Sequence, residues 1–374
     1  KDYKEPFKHK GSHYYPIKPC KSFFGKILGL FGHNAIINDD DLGKYIEIIN
    51  HVNPDIIHIH GTENPFTCLI PHTKIPVVVS IQGNLTVYLH KYFSGMERKY
   101  LKVSLRDYTN FKSCLFPQRF AGSYRAFRKM QKREYKSIGF VKNFIGRTDW
   151  DRRITRVLSP GSNYFHGDEM LRELFYNYKW EPHEREKYII HTTNGNTFYK
   201  GFETLCLALN ELNRIGFACE WQVAGISPND LIVKVAKKKL KTNFPKSGLI
   251  LLGNLNEEQL VRNLLNADFY VMVSHIENSP NNLCEAMMLG MPCISGLVGG
   301  VGSLLKDGVD GMLVQDGDPW VLSGAILELK SDKAIALNLG NSAQTNASQR
   351  HERKKIAKSL LTVYKQIIRN SGNV

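Results

Sequence analysis

The chain has 374 residues, 42% of them hydrophobic, and a formal net charge of +15. That length and apolar content suit two domains with real cores and exclude a disordered or low-complexity chain. No apolar run reaches the roughly 18 residues of a membrane span, and the seven scattered cysteines contain no C-x-x-C pair.

An odd, dispersed cysteine set argues against disulfides or zinc and for free thiols in a reducing compartment. No signal peptide is evident. Opening at Lys1 rather than Met points to a native start further upstream. The charge is uneven. Residues 1–180 carry 29 Lys and Arg against 16 Asp and Glu, whereas 181–374 carry 21 against 19. Residues 91–156 alone hold 18 basic and 5 acidic side chains. Such a block attracts anions, whether a phosphate-bearing acceptor, an anionic membrane surface or nucleic acid, unless it is simply a solvated helical face. No nucleic-acid module is recognisable, so no nucleic-acid partner is expected.

In chain order, Lys1–Lys10 is polar and basic, and His13–Ile17 reads as a strand. Phe23–Phe31 is apolar but too short to span a bilayer, so it is a loop packed on the core or a dip into a membrane surface. Asp39–Asp41 offers an N-cap for a helix carrying Leu42, Tyr45, Ile46 and Ile49, which Pro54 ends. DIIHIH at 55–60 and IPVVVSI at 75–81 read as buried strands, with a short helix near Thr67–Leu69 between them. Residues 84–140 are basic and largely helical in pattern. There Tyr124, Phe127 and Met130 share one face, and Arg125, Arg128, Lys129, Lys132 and Arg133 surround it. That helix either packs on the sheet by its aromatics or faces a membrane. Phe140–Ile145 is a further strand running into GRTDWD, which puts Arg147 at the strand's carboxyl edge, facing the cleft. Its planar fork suits a phosphate or a carboxylate. Asn163–His166 closes the first domain, Glu169–Tyr178 reads as a helix, and Trp180–Lys187 reads as a linker.

Tyr188–Thr192 opens the second domain. The loop Thr193–Thr197 leads to Lys200-Gly201 and a helix through Leu205, Leu209 and Leu212. Trp221–Gly225, Leu249–Leu252, Phe269–Val273 and Met312–Gln315 read as strands, and 320–331 and 352–369 as helices. Strands alternating with helices predict parallel sheets.

The most informative stretch is Ser274–Ser295, SHIENSPNNLCEAMMLGMPCIS. It reads as a loop after a strand, a short helix ended by Gly290, then another strand. Glu277 falls in the loop and Glu285 on the helix, both at the carboxyl edge where open α/β sheets bind ligands. Carboxylates there accept strong hydrogen bonds from ribose or sugar hydroxyls, and the free amides of a helix start suit phosphate. The pattern fits a nucleotide-sugar. The plain alternative is that both glutamates are surface residues, or that Glu285 merely favours the helix N-terminus.

The stretch resembles the E-x7-E signature of the retaining GT-B glycosyltransferases of family 4. The match takes in Glu277, the Asn281-Asn282-Leu283 turn, Glu285-Ala286-Met287, Gly290-Met291-Pro292, Gly299-Gly300, Asp307-Gly308 and Asp310-Gly311, most of the second half. GRTDWD resembles a motif of bacterial polysaccharide glycosyltransferases of the same family. The resemblance implies an α/β protein of GT-B class, two Rossmann-like domains facing a cleft. The strand and glycine-rich turn that usually open the first domain are not found before residue 55, so that domain is expected to be N-terminally truncated. The expected units are 1–180 on the acceptor side, 181–351 on the donor side, and a helix at 352–374 crossing back.

The implied activity is transfer of a sugar, with retention, from a nucleotide diphosphate sugar to a saccharide or lipid-phosphate-linked acceptor in surface polysaccharide synthesis. Glu277 and Lys200 are the implied catalytic pair: the carboxylate holds sugar hydroxyls and offsets oxocarbenium charge, and the lysine holds the diphosphate. An arginine normally stands about six residues before that lysine; here the place is Asn194. Glu285 would hold the ribose, Gly253, Asn254 and Leu255 the base, and Asn281, Asn282, Leu283, Gly299 and Gly300 the rest of the donor. Gln82, beside Gly83, stands where the family usually has a histidine next to the donor sugar. Arg147 and the basic block would receive the acceptor. No cofactor or metal is required, although Asp149-x-Asp151 and Asp316-x-Asp318 match a D-x-D metal motif. A cytoplasmic protein with peripheral contact to an anionic membrane is implied. The alternative is a non-catalytic nucleotide- or sugar-binding protein of the same shape.

Overall fold

A computed structural model describes residues 5–17, 39–96 and 118–372. The apolar Phe23–Phe31 stretch, Cys20, Cys114 and the basic residues of 97–117 lie outside them.

The described chain holds two all-parallel sheets and a small hairpin. The hairpin pairs β1 (Phe7–His9) with β2 (Ser12–Tyr14) antiparallel, and Phe7 stacks on Tyr14 with ring centroids 4.9 Å apart. The first sheet has four strands in sequence order: β3 (Ile57–His60), β4 (Val77–Ser80), β5 (Asn143–Gly146) and β6 (Asn163–His166). The second has six: β7 (Tyr188–Thr193), β8 (Cys219–Ala224), β9 (Leu249–Gly253), β10 (Phe269–Met272), β11 (Cys293–Gly296) and β12 (Met312–Val314). Its spatial order is β12-β11-β10-β7-β8-β9. The chain builds β7 to β9 outward, then returns to lay β10 on the other side of β7. The strand order therefore reverses between β7 and β10, the kind of position at which open α/β sheets bind ligands.

Both faces of the second sheet are covered, which is why its strands are near-continuous apolar runs. Phe269 and Val271 enter one core with the helices Phe202–Arg214, Leu231–Leu240 and Pro319–Ser331. Tyr270 and Met272 point the other way, into a core with Glu257–Leu265, Asn281–Leu289 and Lys333–Arg350. The first sheet packs Val79 and Phe144 on one face. On the other it packs Val78 and Ile145 against Val363 and Ile367 of the last helix, Arg353–Ser371. His58 Nδ1 meets Tyr364 Oη of that helix at 2.5 Å. The C-terminal helix therefore returns to the first sheet.

One local expectation needs correction. Glu169–Tyr178 is not a helix; only the single 3-10 turn Glu173–Tyr176 forms. Arg172 is extended, and Leu171, Phe175 and Trp180 are buried in the second core, so tertiary burial sets this backbone. Trp180 is also fastened by hydrogen bonds from its backbone N to Leu289 O (2.7 Å) and from Nε1 to Ala267 O (2.6 Å). The helix Lys333–Arg350 has no clear apolar face in sequence, yet Ala343 and Ala347 pack closely under Asn281–Leu289. Among the described residues, no helix is long and apolar enough to cross a membrane, and Cys68, Cys206, Cys219, Cys284 and Cys293 are free thiols.

Candidate active site

The loops after β7 and β10 bring Lys200 and Glu277 together. A 3-10 turn, Phe198–Lys200, ends at Gly201 with φ +70°. A Cβ on Gly201 would lie 1.8 Å from Val273 O, so only glycine lets this turn lie against the end of β10. His275 N donates to Tyr199 O at 2.7 Å and ties the two loops side by side. Lys200 Nζ then reaches Glu277 Oε1 at 2.5 Å. Burial works against the ammonium, but Glu277 outweighs it and holds the lysine above its usual value.

The glycine pair supports Glu277 from behind. Gly300 N donates to Glu277 O at 2.9 Å. Gly299 has φ +50°, and a Cβ there would lie 1.9 Å from the same oxygen. The amide of Gly300 is thus engaged with the protein itself.

Three residues of the first unit converge on Asn278, next to the catalytic candidate. Asn278 N donates to Tyr88 Oη at 3.1 Å, its Nδ2 to Gln82 O at 3.4 Å, and Thr148 Oγ1 donates to its Oδ1 at 2.8 Å. Burial, then Glu277, pushes the Tyr88 phenol up. Sequence reasoning did not single out Tyr88, Thr148 or Asn278; only the contiguity of Asn278 with Glu277 offered a signal.

Glu285 is buried in the first turns of its helix. Both its oxygens are held by Arg172, with Nε–Oε1 and Nη2–Oε2 each 2.7 Å. Burial raises the pKa of this carboxyl and Arg172 pulls it back. Arg172 too was missed, because a single arginine in an irregular segment has no sequence pattern.

Arg147 is at the carboxyl edge of β5, but its guanidinium is buried and already taken. It donates to Glu169 Oε2 (2.5 Å), Gln82 Oε1 (2.8 Å), Ile81 O (3.3 Å) and Asn281 Oδ1 (3.4 Å). It organises the edge rather than presenting an open fork. Gly83 N donates to Glu63 Oε1 at 3.1 Å. Asn194 braces the lysine loop: its Nδ2 donates to Lys200 O at 3.1 Å, and its Oδ1 accepts from Gly195 N at 2.8 Å. Asn282 Nδ2 donates to Thr193 O at 2.8 Å, and its Oδ1 accepts the Leu283 amide at 3.0 Å. Gly253 ends β9 at φ +66°, followed by exposed Asn254 and half-buried Leu255.

Both D-x-D candidates are absorbed locally. Asp149 pairs with Arg152, and Asp151 accepts from Arg147 N at 2.9 Å in a capping box with Thr148. Asp316 meets His275 Nδ1 at 2.6 Å, and Asp318 caps the helix Pro319–Ser331. Among the described residues, no group of three or more His, Cys, Asp or Glu is placed to hold a metal ion. A cavity of about 460 Å³ opens between the carboxyl edge of the first sheet and the last helix, lined in part by His60, Gln82, Arg147, His166, Arg350 and Lys355. That volume suits a small sugar-sized ligand.

Comparison with known proteins adds three findings. Residues 177–347 match the family model described as Glycosyl transferases group 1. Over 117 residues the chain is 26% identical to N-acetyl-alpha-D-glucosaminyl L-malate synthase of Bacillus anthracis, and the match spans 31% of each chain, about a third of that relative's length. Among solved structures, sucrose-phosphate synthase of Thermosynechococcus elongatus superposes with TM-score 0.70 at 15% identity, over 99% of this chain and 87% of that one. The Anabaena protein HepE, solved in complex with UDP and glucose, superposes with TM-score 0.64 at 14% identity, over 93% and 84%. The architecture is that of the GT-B glycosyltransferases.

Proposed function

We propose that the protein transfers a sugar, with retention of anomeric configuration, from a nucleotide diphosphate sugar to a saccharide or lipid-linked saccharide. The observation that carries this reading is the Lys200–Glu277 contact at the strand-order reversal of the second sheet. A cation and a carboxylate fixed within hydrogen-bonding reach suit a diphosphate leaving group beside a sugar that becomes positively charged. In this scheme the acceptor hydroxyl forms its bond to the anomeric carbon on the face from which the diphosphate departs. Its proton passes to the leaving phosphate oxygen. Lys200 stabilises the charge developing on the diphosphate, and Glu277 holds sugar hydroxyls and offsets oxocarbenium charge. Glu285 binds the ribose, and the backbone of Gly253–Leu255 borders the base. The acceptor enters from the first sheet's side, past Gln82 and Gly83. No metal is needed for this chemistry.

The likeness of 177–347 to glycosyl transferases group 1 supports the reading of the donor side. A further element is peripheral attachment at the cytoplasmic membrane face. Arg125, Arg128, Lys129, Lys132, Tyr135 and Lys136 form one exposed stripe of the helix Gln118–Ser137, at the spacing that lets a helix lie on an anionic surface. A place in surface polysaccharide synthesis follows from such an acceptor.

The test is transfer from a panel of UDP-, GDP- and ADP-sugars with EDTA present, the product's anomeric configuration being read by proton NMR. Retention supports the scheme, and inversion overturns it. Activity that returns only with manganese would favour a metal route. Binding without turnover would favour a non-catalytic binder.

A further inference from the structure

In the arrangement described above the Arg172 fork engages both oxygens of Glu285, so a ligand that takes the same lone pairs must displace it. The carboxylate is fixed: its side chain is 4% exposed and sits on a helix packed between sheet and neighbouring helix. The arginine is not. Its side chain is 42% exposed, and among the described residues the hydrogen bonds of its guanidinium go to Glu285 alone, with Cζ 4.9 Å from the centroid of the buried Phe175 ring. Leu171 and Phe175 pin the backbone on either side, so the guanidinium can swing toward solvent without moving the chain.

The fork delivers two N–H donors in line with the two carboxylate oxygens. Two hydroxyls on neighbouring carbons can deliver two O–H donors to the same oxygens. A ligand with only one hydroxyl would leave one Glu285 oxygen buried without a donor, a penalty that hydrogen-bonding sites convert into discrimination.

We propose that Arg172 closes the donor site in the free protein: a nucleoside diphosphate binds by displacing its fork from Glu285 with the vicinal 2′- and 3′-hydroxyls of the ribose. The inference rests on the reading of Glu285 as the ribose site. The free protein is held mainly in a form closed to nucleotide, and apparent affinity is lowered by the fraction of molecules in which Glu285 is free. The ion pair also guards the buried carboxylate from standing unpaired before the ligand arrives.

The experiment is calorimetric titration of the full chain with UDP, GDP and ADP and their 2′-deoxy counterparts. Wild type, Arg172→Ala, Arg172→Gln, Glu285→Ala and the Arg172→Ala/Glu285→Ala double variant are compared. Arg172→Gln keeps a side chain over Phe175 and covers the case in which the alanine variant fails to fold. With Glu285 free in about one molecule in ten, both Arg172 variants tighten the preferred nucleotide about tenfold. Glu285→Ala weakens it, and in the Glu285→Ala background removing Arg172 has no further tightening effect. The 2′-deoxy ligand binds more weakly than the ribo form wherever Glu285 is present. If Glu285→Ala weakens binding but the Arg172 variants leave it unchanged or weaker, the donor reading stands and the displacement model is overturned. If neither wild type nor the Arg172 variants bind any of the nucleotides, the donor reading fails and the displacement model with it.

Discussion

Lys200 Nζ lies 2.5 Å from Glu277 Oε1, and the two residues belong to loops after neighbouring strands, β7 and β10. They are 77 positions apart in the chain, yet the fold brings them into one contact. Replacing either by alanine is expected to lower kcat by about 100- to 1,000-fold, the range for losing one preorganised electrostatic group. The double variant should fall little further, since residues acting as a unit are not additive. Turnover of the preferred nucleotide sugar measures this. An unchanged kcat in Lys200→Ala would remove the cation from the chemistry.

Gly299 supports the same unit. Its φ is +50°, and a Cβ would meet Glu277 O at 1.9 Å. Gly299→Ala must displace the Glu277 backbone or strain its own, costing about 1–3 kcal/mol of stability and at least about tenfold in kcat, because small misplacements of reacting groups are strongly felt. Urea midpoints and kinetics on one preparation separate the two effects. Wild-type kcat in a variant with wild-type stability would show that Glu277 tolerates the shift.

His275 bridges Glu203 and Asp316, with Nε2–Oε1 and Nδ1–Oδ1 both 2.6 Å. Burial alone would lower its pKa, but hydrogen bonds to Asp316 and Glu203 outweigh it and raise the value to about 9 from 6.5. Lys91 of the first unit also reaches Asp316, at 3.4 Å. A raised folded value means that the stabilisation is complete below about pH 6.5 and is lost as pH rises through about 9. The full difference is on the order of 3 kcal/mol. Unfolding midpoints at pH 6, 7.5 and 9 should therefore fall across this window, and His275→Gln should flatten the fall. An equal slope in the variant would place the titration elsewhere.

Glu134 is buried on the inner side of the helix Gln118–Ser137, where it caps another helix. It accepts from Leu85 N (3.0 Å), Thr86 N (2.6 Å) and Thr86 Oγ1 (2.7 Å), as well as from Thr62. Glu134→Ala removes the acceptor these donors share and should destabilise the protein by about 2–4 kcal/mol. A chemical denaturation curve measures it, and a change within error would mean that water replaces the carboxylate at no loss.

The opposite face of that helix carries the exposed basic stripe. The triple change Arg128→Glu, Lys132→Glu and Lys136→Glu should abolish co-sedimentation with phosphatidylserine-containing vesicles. Wild-type binding should weaken as salt rises, because exposed charges are screened over about 8 Å at physiological ionic strength. Binding that ignores both salt and charge reversal would exclude this face as the contact. The helical circular dichroism of the variant controls for folding.

How much of this was legible in the sequence follows from how local each feature is. Val77–Val79 and Phe269–Val271 are buried on both sides, so their apolar runs declared a parallel α/β protein. The Ser274–Ser295 pattern placed Glu277 and Glu285 at a strand's carboxyl edge, because strand, turn and helix signals depend on near neighbours. The segment 169–178 misled for the converse reason: Leu171 and Phe175 look helical by spacing, but each is claimed by a core built from residues far along the chain. No local pattern could reveal that Arg172 would close on Glu285, that His275 would bridge Glu203 and Asp316, or that Arg147 would be engaged by four partners. The sequence by itself determined the fold class and the two carboxylates, which rest on periodicity and short-range chemistry. Only the tertiary structure decided which charges meet, because a hydrogen bond forms at about 2.9 Å whatever the separation in sequence.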